Sequence, residues 1–128
     1  MIVCAIDDLM FSIRISTAAK SLQADVYFER SAEKLLDTIR DKRPSLVIFD
    51  LNSARMRPLD AIASLKRDPD LATIRTLGYV SHVDAATIDA ARAAGIDQVL
   101  ARSAFVNQLG GILTTASPTT RSPPARQE

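Results

Sequence analysis

The sequence predicts an α/β fold, a doubly wound five-stranded parallel sheet with helices on both faces. Three observations carry that expectation. Short apolar runs without polar alternation recur between longer amphipathic stretches, as strands buried on both faces do. Cap and stop residues stand between those stretches at Ser31, Pro44, Asp68-Pro69, Asp84 and Gly95. And 128 residues, 47% of them hydrophobic, suffice for one core and are too few for two.

The elements follow in order. Ile2-Val-Cys-Ala-Ile6 reads as a strand buried on both faces. Phe11, Ile15, Ala18, Ala19 and Leu22 recur at helical spacing. Ala24 to Phe28 forms a short strand. Ser31 caps a helix whose buried stripe is Ala32, Leu35, Leu36 and Ile39, and Pro44 stops it. Leu46-Val-Ile-Phe49 is the next apolar strand. Leu59, Ile62, Ala63 and Leu65 mark a helix ending before Asp68-Pro69. Leu77-Gly-Tyr-Val80 is the fourth strand. Asp84 caps a helix holding Ala85, Ile88 and Ala91, and Gly95 ends it. Gln98-Val-Leu-Ala101 is the last strand. A final helix carries Phe105, Val106, Leu109, Ile112 and Leu113 on one face, weakened in its middle by Gly110-Gly111. These elements place one domain at 1–116. Residues 117–128 hold three of the six prolines and no large apolar side chain, which predicts a disordered tail.

Charge and composition exclude several functions. Of 16 basic and 15 acidic residues, two Arg and one Glu lie in the tail, so the domain carries 14 of each sign. A neutral domain has no field to hold a polyanion, and no direct DNA binding is expected. Cys4 is the only cysteine and His82 the only histidine. Disulfide frameworks, cysteine zinc sites and a conventional Ser-His-Asp triad lose their members. No apolar run is long enough to span a membrane and no signal-peptide pattern opens the chain. A cytoplasmic protein is expected. The four glycines form no phosphate-binding loop.

Chemistry gathers at the strand ends, where parallel sheets place it. The first strand runs into Asp7-Asp8, the third into Asp50, the fourth into Ser81-His82 and the fifth into Arg102. Three carboxylates at close range repel one another and call for a cation. All-oxygen donors favour Mg²⁺ over zinc. A carboxylate beside such an ion can attack phosphorus, with the ion and a cationic side chain stabilising the transferring group. The plainer reading of Asp7 or Asp8 is a helix cap. Capping does not account for the acid, hydroxyl and cation that follow three other strands.

From Met1 to about Thr115 the chain resembles the receiver domain of two-component response regulators, a flavodoxin-like fold. Val3-Cys-Ala-Ile-Asp-Asp8 stands where that family has its acidic pair, and Leu46-Val-Ile-Phe-Asp50 where it has the phosphoaccepting aspartate. The segment 65–74 and the turn Ala93-Ala-Gly-Ile-Asp97 are also similar to receiver segments. The resemblance implies that Asp50 accepts a phosphoryl group from a histidine kinase or phosphotransfer protein. It implies that Asp7, Asp8, Asp50 and the Asn52 backbone carbonyl hold Mg²⁺. Ser81 would donate a hydrogen bond to the phosphoryl group, and a downstream protein would read the result.

The sequence also departs from that pattern. Arg102 replaces the family lysine, and a forked planar cation is not an equivalent phosphate partner. Ser103 replaces the following proline. Val99 stands where a switch aromatic is expected. After Asp50, Arg57 and Pro58 replace an acid-Gly pair, and Pro58 cannot supply a positive φ. Arg55 and Arg57 bring cations near the acids, as solvated loop residues or as anion contacts. His82 is a surface residue or a tuner of dephosphorylation. Tyr79 and Cys4 read as core.

The expected function is therefore a stand-alone, non-enzymatic signalling module phosphorylated on Asp50, a monomer or weak homodimer. The alternatives are an interaction module that no longer uses phosphate and, last, a small Mg²⁺-dependent phosphate-handling enzyme.

Overall fold

The computed structural model describes residues 1–81 and 84–116. Its elements alternate throughout: β1 (Ile2–Ala5), α1 (Leu9–Leu22), β2 (Val26–Phe28), α2 (Ala32–Lys42), β3 (Leu46–Asp50), α3 (Pro58–Arg67), β4 (Arg75–Val80), α4 (Ala85–Ala94), β5 (Gln98–Ala101) and α5 (Arg102–Ala116). All strand pairs are parallel, in the order β2-β1-β3-β4-β5. The five-stranded sheet expected from the apolar runs is present. His82, and the disordered tail expected at 117–128, lie outside the described residues.

The inner strands β1, β3 and β4 are buried because both sheet faces are covered there, while the edge strands β2 and β5 stay partly exposed. Alternate residues feed two separate cores. Val3, Ala5, Val47, Phe49 and Val80 pack with Leu35 and Ile39 of α2, Ile62 and Leu65 of α3 and Ala91 of α4. Ile2, Cys4, Ile6, Ile48, Leu77 and Tyr79 pack with Phe11, Ile15 and Ala19 of α1 and Phe105, Leu109 and Leu113 of α5. Cys4 is fully buried in this second core, and burial pushes its thiol up to about 12.

Helix ends follow the capping signals. Asp8, Ser31 and Asp84 cap α1, α2 and α4 through their side chains. Gly95 closes α4 in the left-handed region that glycine adopts without strain. Gln23 and Arg43 take the same conformation at the ends of α1 and α2.

Some details differ from the sequence pattern: β1 stops at Ala5, one residue short of Ile6, and β3 extends to include Asp50. Ala24 belongs to the closure of α1, its N–H donating to Ala19 O at 2.8 Å, so β2 begins at Val26. β4 begins two residues early, at Arg75, because pairing with Leu46 extends the ladder past the apolar run. α5 runs unbroken through Gly110-Gly111. Each glycine costs about 1 kcal/mol against alanine in a helix, and the anchors Phe105, Leu109 and Leu113 around them offset that cost. Among the described residues no helix is long and apolar enough to cross a membrane.

Candidate functional site

The sheet order reverses between β1 and β3, because β2 lies on one side of β1 and the later strands on the other. At such a switch point the two neighbouring loops diverge and leave a crevice above the strand ends. Asp7 and Asp8 leave β1 into that crevice and Asp50 ends β3 beside it.

Asp8 has two duties, one for each oxygen. Its Oδ1 accepts from the Phe11 N–H at 3.1 Å, capping α1. Its Oδ2 lies 3.6 Å from Arg102 Nη2. The cap expected of this acid is present, and its second oxygen is left to meet Arg102. Asp7 Oδ1 accepts from the Ser53 hydroxyl at 2.9 Å, and its Oδ2 lies 3.9 Å from Arg55 Nε. Asp50 Oδ1 accepts from the Asn52 N–H at 3.0 Å, a tight turn that fixes the carboxylate against its own loop.

Asp50 titrates above the usual carboxylate range. Partial burial is the main cause; the Asn52 N–H opposes it, and the Asp7 and Asp8 charges add to it against Arg102. The three acids therefore feel one another, as expected if they form one cluster.

Arg102 is the first residue of α5. Its Nη1 reaches the Ser81 hydroxyl at 3.5 Å, and its guanidinium carbon lies 4.2 Å over the centroid of the Phe11 ring. Beneath it Phe11, Tyr79 and Phe105 form a three-ring cluster with centroids 4.8, 5.8 and 5.0 Å apart. Arg102 thus joins the acids, the Ser81 position and the aromatic floor. Ser81 is also held from the other side: its N–H donates to Asn52 Oδ1 at 2.6 Å.

The loop after β3 solves its backbone problem one residue early. Pro58 occupies the first turn of α3, where its missing N–H is harmless. The left-handed residue is Arg57, with φ of 46°. Arg57 lines a groove of about 410 Å³ with Leu51, Ser53, Pro58 and Thr87. Among the described residues it makes no ion pair, whereas Arg55 reaches Asp7 while 83% exposed.

The sequence pattern did not mark Ser53, whose hydroxyl bonds Asp7 and accepts from the Met56 N–H at 3.3 Å. Nor did it mark the Asn52 side chain or the Phe11 ring as parts of the site. A serine in a polar loop carries no periodic signal. Phe11 reads only as helix core until α1 and α5 are known to be neighbours. Leu9, Met10 and Ile13 form an exposed apolar patch on α1 directly after the acid pair.

A hard divalent cation accepts these oxygen donors in kind. As the side chains stand, no three His, Cys, Asp or Glu among the described residues are gathered around one point. Two of the acids, Asp7 and Asp8, are instead in contact with Arg55 and Arg102.

No protein-family model and no curated protein sequence matches the chain. Solved structures do. A response regulator from Hahella chejuensis superposes with a TM-score of 0.80 at 12% identity, covering 95% of this chain and 98% of that one. The phosphorylated cyanobacterial phytochrome response regulator RcpA gives 0.78 at 20% identity, covering 94% and 95%. The Mn²⁺-bound form of response regulator Rcp1 gives 0.77 at 18% identity, covering 96% and 98%.

Proposed function

We propose that this chain, which has the fold of a response regulator receiver domain, is a signalling module that accepts a phosphoryl group on Asp50. The observation that carries the reading is the setting of Asp50. It ends β3 at the switch point of the sheet, half-buried, where the charges of Asp7, Asp8 and Arg102 all act on it.

The Asn52 N–H holds Oδ1 and leaves Oδ2 as the nucleophile. Oδ2 attacks the phosphorus of a phosphohistidine on a kinase or phosphotransfer protein. The O–P bond forms as the N–P bond breaks, and the imidazole leaves with its electron pair and takes a proton. Ser81 and Arg102 donate to the phosphoryl oxygens. Asp7, Asp8, Asp50 and the Asn52 carbonyl would hold Mg²⁺, which when bound supplies neutralisation of the phosphoryl charge. The exposed Leu9, Met10 and Ile13 beside the acid pair give the phosphodonor protein an apolar landing. Output passes to another protein in the cytoplasm through protein contacts.

Intact mass after incubation with Mg²⁺ and a small acyl phosphate tests the proposal. Wild type gains one phosphoryl group and Asp50→Asn gains none. An unchanged mass for wild type, with no response to beryllofluoride, refutes phosphoryl acceptance.

A second reading, an interaction module that does not use phosphate, is favoured by one contact: Arg102 already satisfies Asp8 without any ligand. The enzyme reading has less support. The described cavities are open grooves of about 330 to 550 Å³, and an enzyme for small molecules needs an enclosing pocket.

A further inference from the structure

We propose that Arg102 is the resident counter-ion of the acidic cluster and competes with a divalent cation for one oxygen, Asp8 Oδ2. The inference rests on reading the cluster as a cation site.

The two oxygens of Asp8 are not interchangeable. Oδ1 is committed to the α1 cap through the Phe11 N–H, at 3.1 Å. Turning the carboxylate to free it would strip the first turn of its cap. Oδ2 is the oxygen that the cap leaves open to an incoming ion, and Arg102 Nη2 stands 3.6 Å from it. The guanidinium is held there by two further contacts, the Phe11 ring at 4.2 Å and the Ser81 hydroxyl at 3.5 Å. A planar fork can hold all three contacts together. A lysine ammonium is a point charge on a flexible stem and has no planar face to lay on the ring.

Charge points the same way. Asp7 is partly balanced by Arg55, which is exposed and weakly engaged at 3.9 Å. Arg102 is the cation closest to Asp8 and also acts on Asp50. A dication entering beside it meets like charge as well as a blocked ligand. Cation entry therefore requires Arg102 to leave Asp8. Its nearest remaining oxygen partner is the Ser81 hydroxyl, at the position read as contacting the phosphoryl group.

Calorimetric titration of the full chain with Mn²⁺ tests this. The variants are Arg102→Gln, Arg102→Met and Asp8→Asn, with melting curves confirming that each is folded. Arg102→Met keeps an apolar stem over the Phe11 ring, so a loss of packing in Arg102→Gln is separable from the loss of charge. Both Arg102 variants are expected to bind Mn²⁺ at least about tenfold more tightly than wild type, with Asp8→Asn binding most weakly. In wild type the Arg102 Nε–H resonance should move along the Mg²⁺ titration. Equal Mn²⁺ affinity in wild type and both Arg102 variants overturns the competition alone. Absence of Mn²⁺ binding in all of them overturns it together with the cation reading.

Discussion

Asp50 and Tyr79 are partners across the β3–β4 ladder, and the amide after Asp50, at Leu51, donates to the Tyr79 carbonyl at 3.0 Å. The candidate acceptor thus shares its sheet position with a buried phenol. Burial pushes that phenol's pKa up, and the Asp50 charge pushes it further. Both residues sit in surroundings that disfavour their charged forms, and two predictions follow from this pair.

Asp50→Asn should stabilise the folded chain at neutral pH. The folded pKa is raised, chiefly by burial, so the ionised carboxylate is worse off folded than unfolded. An amide of the same shape keeps the Asn52 hydrogen bond and drops the charge. A modest rise in melting temperature is expected, small because Asp50 stays partly exposed to solvent. Thermal unfolding at pH 7 checks it. A lower melting temperature would mean that Asp50 is held by attraction and not against repulsion.

Tyr79→Phe should also stabilise, or at worst be neutral. The Tyr79 hydroxyl is the one buried side-chain polar atom among the described residues without a hydrogen-bond partner. A buried hydroxyl left unpaired costs about 1–3 kcal/mol. Phenylalanine keeps the ring between Phe11 and Phe105 and removes that cost. Urea unfolding measures the difference. A loss of about 1 kcal/mol or more would reveal a partner, such as a bound water.

Asp97 ties the turn before β5 to β4 and α3. Lys66 Nζ, the Thr76 N–H and the Thr76 hydroxyl all donate to its Oδ2, at 3.0, 2.8 and 2.9 Å. Burial pulls its carboxyl upward, but the Lys66 ammonium and the Thr76 donors outweigh it and hold the pKa below the usual value. A lowered folded pKa contributes stability that is present above the unfolded value of about 3.9 and lost as pH falls through the folded one. Asp97→Asn should cost about 1 kcal/mol or less at pH 7, because solvent screens the charge-assisted bonds of this exposed carboxylate. The deficit should shrink below about pH 4, where wild type loses the same contribution. Denaturant unfolding at pH 7 and pH 3 measures both. A deficit that stays constant with pH would assign the effect to packing.

Much of this arrangement was legible in the sequence because burial and capping are local signals. Strands with both faces covered must read as unbroken apolar runs, and Leu46–Phe49 does. An acid after such a run announces either a cap or a site; Asp8 caps α1 with one oxygen and meets Arg102 with the other. What was not legible depends on contacts between distant segments. Ser53 meets Asp7 only once β1 and β3 are adjacent. Arg102 reads as a poor lysine until α1 brings Phe11 under it. The early start of β4 comes from its partner strand, since Arg75 and Thr76 have no apolar signal of their own. Arg57 took the positive φ that Pro58 could not, a choice no residue preference foretells.

The glycines give the last prediction, because the same substitution should act in opposite directions. A Cβ on Gly78 would meet Leu51 Cδ1 and Cγ at 2.7 Å and Ile96 Cδ1 at 2.8 Å, distances that real contacts do not reach. Leu51 directly follows Asp50, so its displacement disturbs the loop after β3 as well as the core. Overpacking of this kind costs about 1–3 kcal/mol, and Gly78→Ala should fall in that range. A Cβ on Gly111 meets nothing within 4 Å, and the residue lies mid-helix in α5. There alanine removes the backbone-entropy cost of glycine, and Gly111→Ala should gain about 1 kcal/mol. Paired thermal melts of the two variants measure the contrast. If Gly111→Ala is destabilising while α5 helicity is retained, the backbone-entropy account of this glycine is wrong.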